Sequence, residues 1–310
     1  MLHMPIKENL RFSVYYAPRG RYRLYILGSE LSQRFLYPTD ILIGIIGPEG
    51  AGKSTLIRGL FPGLELTNED DGMNKRSSPI FDFDESDFFS GHTFHLDVRH
   101  ELAFHQLHEI VEAIMKALNA GRRVIVEHFD MIYKALGSNA QIIFGIGEEV
   151  RVYRPSILGP SPTKIMKVAE ENFKFRLMAH SAEDIVEYLL VNHYNIDQKN
   201  LHSDVRHGFV IGFDEKIDID LHELEEKAKD IIAQDLPITA LDGDYISIGD
   251  SRLYCTGKRI HVKSTGKIEN FRLLKDIKYD PISKKYLLIG LIGEEFIEFE
   301  EDLPPPIYQG

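Results

Sequence analysis

The chain has 310 residues, of which 43% are hydrophobic and 27% are charged, and its formal net charge at pH 7 is −12. This composition excludes a disordered or fibrous protein, and the length suffices for about two domains. The negative charge argues against a general polyanion binder, because phosphate neutralisation dominates affinity for nucleic acids, but it allows a local basic patch.

Targeting and cysteine patterns predict a cytoplasmic protein with no membrane partner. The longest apolar runs, such as residues 41–46 and 286–292, are far shorter than the roughly 18–20 residues of a membrane helix. The first twelve residues lack the apolar h-region of a secretory signal. A single cysteine, Cys255, excludes an intramolecular disulfide and fits a reducing compartment. The oligomeric state stays open.

The N-terminal residues predict a β-hairpin. Apolar and polar residues alternate over 12–16 and again over 22–26, on either side of the turn-forming segment Ala17–Gly20. We expect residues 1–39 to form a hairpin arm of an N-terminal domain that spans residues 1–158.

An apolar run, Ile41–Ile46, leads directly into a G-x-x-x-x-G-K-[ST] motif, which predicts a buried parallel strand, a phosphate-binding loop and a helix. The glycines let backbone N–H groups surround a phosphate, Lys53 would reach the β- and γ-phosphates, and the Ser54 hydroxyl would ligate Mg²⁺. We therefore expect ATP or GTP with magnesium. The predicted nucleotide-binding residues are Gly47, Pro48, Glu49, Gly50, Ala51, Gly52, Lys53, Ser54 and Thr55.

Acidic residues after the motif are candidates for metal binding and catalysis. Val124–Val126 is a short β-branched strand, and Glu127 at its carboxyl end is the expected magnesium carboxylate, with Asp130 as the alternative. The segment from Phe81 to Asp87 is acidic and aromatic. In a kinase, Asp84 would accept a proton from a substrate hydroxyl. A surface loop with a partly buried Phe cluster is the alternative interpretation.

The order of these segments resembles the uridine-kinase/phosphoribulokinase type of P-loop kinase over about residues 40–153. The resemblance implies a parallel sheet with flanking helices and phosphoryl transfer to a nucleoside or another small molecule. The chain departs from those kinases in one respect. They continue with an Arg-rich lid, whereas this chain reaches the proline-rich segment 155–162 almost at once. Arg151 and Arg154 are the candidate cations for the role of that lid.

Gly159–Pro162 predicts a linker, and a helix is expected from Lys164 to about His193. His180 and Asp184 are four residues apart and would share one face of this helix. Together with Cys255 and His261 on a distant loop, they would form a tetrahedral zinc site.

These residues resemble the second additional (editing) domain of alanyl- and threonyl-tRNA synthetases over about residues 165–275. That family has H-x-x-x-H on a helix and C-x-x-x-H followed by V-x-x-T-G-x-I, which match His180 and the segment from Cys255 to Ile268. The resemblance implies catalytic roles for His180 and Cys255 in hydrolysing an aminoacyl ester. Two departures are Asp184 in place of a histidine and two extra residues between Cys255 and His261. We expect this domain over residues 163–300, followed by a tail over 301–310.

Residues 252–285 form a basic segment with ten Lys or Arg against three acidic residues. Such a patch suits a tRNA acceptor end, and a solvated strand-rich face is the alternative.

The sequence thus predicts an α/β P-loop NTPase domain followed by an α+β editing-type domain. The expected function is nucleotide binding coupled to recognition or hydrolysis of aminoacyl-tRNA. A small-molecule kinase of the uridine-kinase type and a non-catalytic sensor of nucleotide and tRNA are the alternatives.

Overall fold

The computed structural model describes residues 12–66, 77–84, 91–196 and 201–293. The chain forms two compact units, one of Met1–Leu177 with Thr239–His261 and the other of Met178–Ile238 with Val262–Gly310. This division does not follow the predicted boundary at residues 159–162. The predicted tail over 301–310 and the first eleven residues of the predicted arm lie outside the described residues.

A mixed sheet with mostly parallel strands forms the centre of the first unit. Within the described part of the chain its strands are β1 (Phe12–Tyr16), β2 (Leu42–Ile46), β3 (Thr93–Asp97), β4 (Arg123–Glu127), β5 (Ile142–Ile146) and β6 (Glu149–Tyr153), in the order β1-β6-β5-β2-β4-β3. Strands β3, β4, β2 and β5 run parallel, β6 pairs antiparallel with β5, and β1 pairs antiparallel with β6 at one edge of the sheet. The α/β prediction is confirmed at this level.

Helices cover both faces of this sheet, so its central strands are apolar on both sides. They are α1 (Arg21–Phe35), α2 (Lys53–Leu60), α3 (Val98–Glu101), α4 (Leu107–Asn119), α5 (Tyr133–Leu136) and α6 (Pro162–Asn192), the last of which continues into the second unit. Leu42 and Ile46 pack in one apolar cluster together with α4 residues. Ile43 and Ile45 point to the other face, where they pack with residues of α1 and α2.

The predicted hairpin arm is wrong in its second half. Strand β1 pairs with β6, Phe12 lying opposite Tyr153, and the chain then enters helix α1. Leu24, Gly28 and Leu31 have helical spacing and are buried. A Cβ on Gly28 would lie 2.6 Å from the backbone oxygen of Leu56, so α1 and α2 approach too closely for a larger side chain.

The second unit contains an antiparallel sheet and a helix. In the described residues its strands are β7 (Leu201–Val205), β8 (Gly208–Phe213), β12 (Arg272–Leu273), β13 (Lys278–Asp280) and β14 (Lys285–Leu291), and its helix α7 is Leu221–Ala233. The sheet order is β12-β14-β8-β7, with β13 paired to β14. Asp220 caps α7 by accepting hydrogen bonds from the backbone N–H groups of His222 and Glu223.

Between these elements, β9 (Ile238–Ala240), β10 (Tyr245–Ile248) and β11 (Ser251–Tyr254) form a small antiparallel sheet in the order β11-β10-β9. A turn over residues 256–259 follows β11 and belongs to the first unit. None of the helices described here has the length and apolar character needed to cross a membrane.

Candidate functional site

A cavity of about 670 Å³ lies at the carboxyl ends of β2, β3 and β4 in the first unit. Its size is within the usual range of ligand pockets, about 300–1,000 Å³. Ligands of open α/β sheets bind at this edge, because the loops and helix N-termini that follow the strands face it. Its wall also includes residues 256–260, which are distant in sequence from the three strands. The cavity is therefore built from chain segments that only tertiary structure brings together.

The glycine-rich loop between β2 and α2 forms one side of the cavity. Gly50 and Gly52 have φ values of 77° and 95°, a region that L side chains rarely adopt, and Gly52 is the N-cap of α2. The predicted residues that line the cavity are Glu49, Gly50, Gly52, Lys53, Ser54 and Thr55. Gly47, Pro48 and Ala51 complete the loop behind them. The loop thus turns its backbone towards the cavity where the motif predicts a phosphate.

A buried arginine of α6 supports this loop from behind. The guanidinium of Arg176, which is 1% exposed, donates hydrogen bonds to the backbone oxygens of Ala51 at 2.7 Å and Gly147 at 3.2 Å. It also donates to Pro18 O at 2.6 Å. Arg176 therefore ties the glycine-rich loop to two neighbouring segments.

Lys53 is buried at the base of the cavity. Its Nζ donates to the backbone oxygens of Gly47 at 3.1 Å and Pro48 at 3.0 Å. The same atom lies 3.7 Å from Oε1 of Glu127. The ammonium group is held by the loop and by one carboxylate, and it places a positive charge where the motif predicts the outer phosphates.

Three side chains at the ends of β3 and β4 could hold a metal ion. Ligand atoms of Asp97, Glu127 and His128 all lie within 4.8 Å of one another. Oδ1 of Asp97 accepts hydrogen bonds from the backbone N–H groups of Arg99 at 2.9 Å and His100 at 3.3 Å, which fixes the orientation of the carboxylate. Magnesium prefers oxygen ligands, so a carboxylate of this group suits it better than the imidazole of His128.

The surroundings of His128 favour its neutral imidazole. Burial, the largest cause, and the positive charge of Lys53 lower its pKa, against the opposing effects of Asp97 and Glu127. On the other side of Glu127, Nε2 of His95 lies 3.4 Å from Oε2. The expected magnesium carboxylate thus lies in the cavity. The alternative, Asp130, lies outside the described lining, in the short helical turn Phe129–Met131, and burial raises its pKa.

The cations of the cavity come from segments other than those expected. Among the described residues, its lining includes Arg19, Arg21, Lys53, Arg58, Arg99, Lys258 and Arg259, against the acidic residues Glu49, Asp97 and Glu127. Arg154 lies instead at the other end of the sheet, where it forms an ion pair with Asp40 at 2.8 Å. Arg151 pairs with Glu149 at 2.6 Å. The prediction that Arg151 and Arg154 replace the lid is therefore wrong, because both guanidinium groups are bound to carboxylates elsewhere.

Asp84 lies outside the cavity lining as described, and its side chain is exposed. Its neighbour Phe83 is buried and packs edge-on against Phe94, with 5.5 Å between the ring centroids. In the described part of the acidic and aromatic segment, Phe83 therefore serves the core of the domain. Residues 85–90, and with them Asp87, lie outside the described residues.

The predicted zinc ligands occur as two close pairs, one in each unit. In the second unit, Nε2 of His180 lies 3.8 Å from Oδ1 of Asp184, one helical turn away on α6, and both side chains are buried. In the first unit, Sγ of Cys255 lies 3.8 Å from Nε2 of His261. The shared helix face of His180 and Asp184 is confirmed. The four-ligand zinc site stays a prediction.

Sequence reasoning did not find Asp97, Arg99 or His128, nor the contribution of residues 256–259. Asp97 had a usable signal, since it ends an alternating segment, Thr93–Asp97, as Glu127 ends its own strand. Residues 256–259 had no such local signal, because their part in the cavity depends on the tertiary placement of a distant segment.

A scan against models of known protein families finds none that matches this chain. The resemblances to uridine-kinase-type enzymes and to the editing domain therefore rest on the motifs alone.

Proposed function

We propose that the chain binds a magnesium nucleoside triphosphate in the cavity of the first unit and transfers its terminal phosphoryl group, as a P-loop enzyme. The observation that carries this proposal is the convergence of Lys53, Asp97 and Glu127 beside the glycine-rich loop. A buried lysine, two carboxylates at strand ends and a backbone turned towards the cavity are the parts that phosphoryl transfer requires.

In this proposal each residue has one role. The backbone N–H groups of the glycine-rich loop bind the phosphates, and Lys53 exchanges the carbonyls of Gly47 and Pro48 for phosphate oxygens. Ser54 and Glu127 hold Mg²⁺, which when bound neutralises charge that develops on the phosphate oxygens.

Asp97 takes the role that the sequence analysis assigned to Asp84. It accepts the proton of the acceptor hydroxyl while the hydroxyl oxygen forms a bond to the γ-phosphorus. The bond from that phosphorus to the β–γ bridging oxygen breaks, and the nucleoside diphosphate leaves with both electrons of the bond. The cations around the cavity support phosphoryl transfer, because they place positive charge where negative charge develops on the phosphate oxygens.

Calorimetric titration with Mg-ATP and Mg-GTP tests nucleotide binding. We expect Lys53→Met to lower the affinity for the better nucleotide about 100-fold, since a buried charged contact to phosphate is lost. Lys167→Met is the matched control, because Lys167 is exposed and pairs only with Glu171 along α6 in the described contacts. Asp97→Asn should retain binding and lose phosphoryl transfer. Binding of neither nucleotide by the wild type, or equal binding by Lys53→Met, would overturn the proposal.

A second candidate function is recognition or hydrolysis of aminoacyl-tRNA by the editing-type residues. Two observations favour it: the buried His180–Asp184 and Cys255–His261 pairs, each at 3.8 Å, and the basic segment 252–285, suited to a tRNA acceptor end. In this proposal the two pairs bind zinc or activate water, and nucleotide regulates the activity.

A panel of correctly and wrongly charged tRNAs, with and without Mg-ATP and Mg-GTP, tests this second function. We expect release of one amino acid, loss of the release in His180→Ala, and loss of bound zinc in Cys255→Ala as measured by elemental analysis. No release from any tRNA under any of these conditions would contradict a deacylase. Binding of nucleotide and tRNA without turnover of either would identify a sensor.

A further inference from the structure

The turn over residues 256–259 lies in the wall of the cavity beside the glycine-rich loop. We propose that this turn is the phosphate-capping element of the site and that Arg259 binds the outermost phosphate of the nucleotide. The inference rests on the proposed nucleotide binding. The turn would thus bind phosphate in the first unit, although its segment resembles part of an editing domain.

Two close approaches place the turn against the cavity. The backbone oxygen of Arg259 lies 3.5 Å from the position that a Cβ on Gly50 would occupy, so the turn contacts the tip of the glycine-rich loop. Oγ1 of Thr256 lies 3.5 Å from the corresponding position at Gly20, the N-cap of α1. The turn therefore lies close to the loop that would hold the phosphates.

Hydrogen bonds hold the turn in one shape. Nζ of Lys258 donates to the backbone oxygens of Leu241 at 3.1 Å and Gly243 at 2.7 Å. Cys255 N donates to Asp244 O at 2.9 Å, and Ile260 N donates to Gly257 O at 2.8 Å. The ammonium group of Lys258 thus anchors the turn to the connection between β9 and β10. A preorganised turn loses little conformational freedom when it binds a phosphate.

Arg259 is the cation of this turn that suits a phosphate. Its side chain is exposed and lines the cavity. A guanidinium group binds phosphate oxygens with two parallel hydrogen bonds, which gives geometric selectivity as well as affinity. The turn also gives a reason for the spacing between Cys255 and His261. Five residues separate them, and these carry both the anchoring lysine and the capping arginine.

Inorganic tripolyphosphate with magnesium is the sharpest probe, because it carries the phosphates without a base or ribose. We expect Arg259→Ala to bind tripolyphosphate and Mg-ATP about tenfold more weakly than wild type, with affinity partly restored in Arg259→Lys. Binding of AMP, which lacks the outer phosphates, should not change. The matched control is Arg252→Ala, which removes a cation from the same segment, where Arg252 lies over the ring of Tyr245 at 3.9 Å and outside the described lining.

Thermal unfolding of each variant verifies that it folds. Arg259→Ala binding tripolyphosphate as tightly as wild type, while Lys53→Met loses it, would overturn the capping role and leave the nucleotide site in place. An equal loss in Arg252→Ala would also overturn it, because the effect would then be one of general charge. Failure of the wild type to bind tripolyphosphate, Mg-ATP or Mg-GTP would remove the proposed function itself.

Discussion

Charged side chains lie at both ends of the parallel strands of the first unit, and the two ends differ in how the charge is balanced. At the amino ends, Arg154 binds Asp40 at 2.8 Å and Gln141 O at 3.2 Å, and its guanidinium lies over the ring of Tyr37 at 4.6 Å. At the carboxyl ends, cations outnumber acidic residues around an open cavity in the described structure. At the amino ends the charge of Arg154 is balanced by a carboxylate of the chain, whereas the excess of cations at the carboxyl ends suits an anion from solution.

This contrast explains why residue type alone misassigns function. Arg154 follows β6 closely and was a candidate for the role of the Arg-rich lid of the kinases that the sequence resembles. Its side chain is 8% exposed and that of Asp40 is 1% exposed, so the pair is structural. Arg259, much further along the chain, is exposed and lines the cavity. Whether an arginine can reach a ligand depends on its burial and on its place in the tertiary structure.

The largest effect on stability is expected from breaking the ion pair of Arg154 and Asp40 at the amino ends of the strands. Arg154→Met should lower the free energy of unfolding by about 3–5 kcal/mol, because it leaves the carboxylate of Asp40 buried without its cation. Urea denaturation measures this loss. Lys53→Met should lower the free energy of unfolding less, because Nζ of Lys53 lies 3.7 Å from Oε1 of Glu127, beyond hydrogen-bonding distance, whereas Arg154 donates to both carboxylate oxygens of Asp40 at 2.9 and 2.8 Å.

The double variant Arg154→Met/Asp40→Asn is the control for this comparison. It removes the uncompensated charge, so it should recover part of the stability lost in the single variant. A single variant as stable as wild type would contradict a structural role for the pair. A greater stability loss in Lys53→Met than in Arg154→Met would reverse the comparison between the two ends.

Local patterns were sufficient to predict strands β2 and β4 and the glycine-rich loop that forms one side of the cavity. A few neighbouring residues are enough to recognise the apolar run of β2, the spacing of the glycines and the position of Glu127 at the end of β4. Helix α1 was missed because the alternation of apolar and polar residues over 22–26, which predicts a strand, also fits one turn of a helix. Only the longer spacing from Leu24 to Leu31 and the packing of Gly28 against α2 distinguish the two.

The rest of the cavity could not be predicted, because it forms from segments distant in sequence. Asp97 and Glu127 lie opposite each other in the register of β3 and β4, which no spacing in the sequence reveals. The two-unit division also places residues 239–261 in the unit that contains the cavity, although their motif resembles an editing domain. A motif identifies chemistry within a short segment, whereas the site that uses it depends on tertiary structure.

A smaller effect on stability, which depends on pH, is expected from a second group of charges that balance each other within the chain. In the second unit, Nδ1 of His202 lies 3.0 Å from Oε1 of Glu183, and Nε2 lies 3.1 Å from Oε1 of Glu187. Burial opposes the charged imidazolium, but the two carboxylates outweigh it and raise the pKa of His202 to about 10. The imidazolium is thus balanced inside the chain, as Arg154 is.

The raised pKa of His202 predicts how stability depends on pH. Its contribution is complete below about pH 6.5, the pKa of the unfolded chain, and is lost as the pH rises towards 10, because only the folded protein then still binds this proton. We expect the free energy of unfolding to fall by roughly 2–4 kcal/mol between pH 6.5 and 10 in wild type, and by much less in His202→Gln. His222→Gln, at an exposed position on α7, is the matched control and should keep the slope of wild type. Equal slopes in wild type and His202→Gln would mean that the cluster of His202, Glu183 and Glu187 does not hold the proton at high pH.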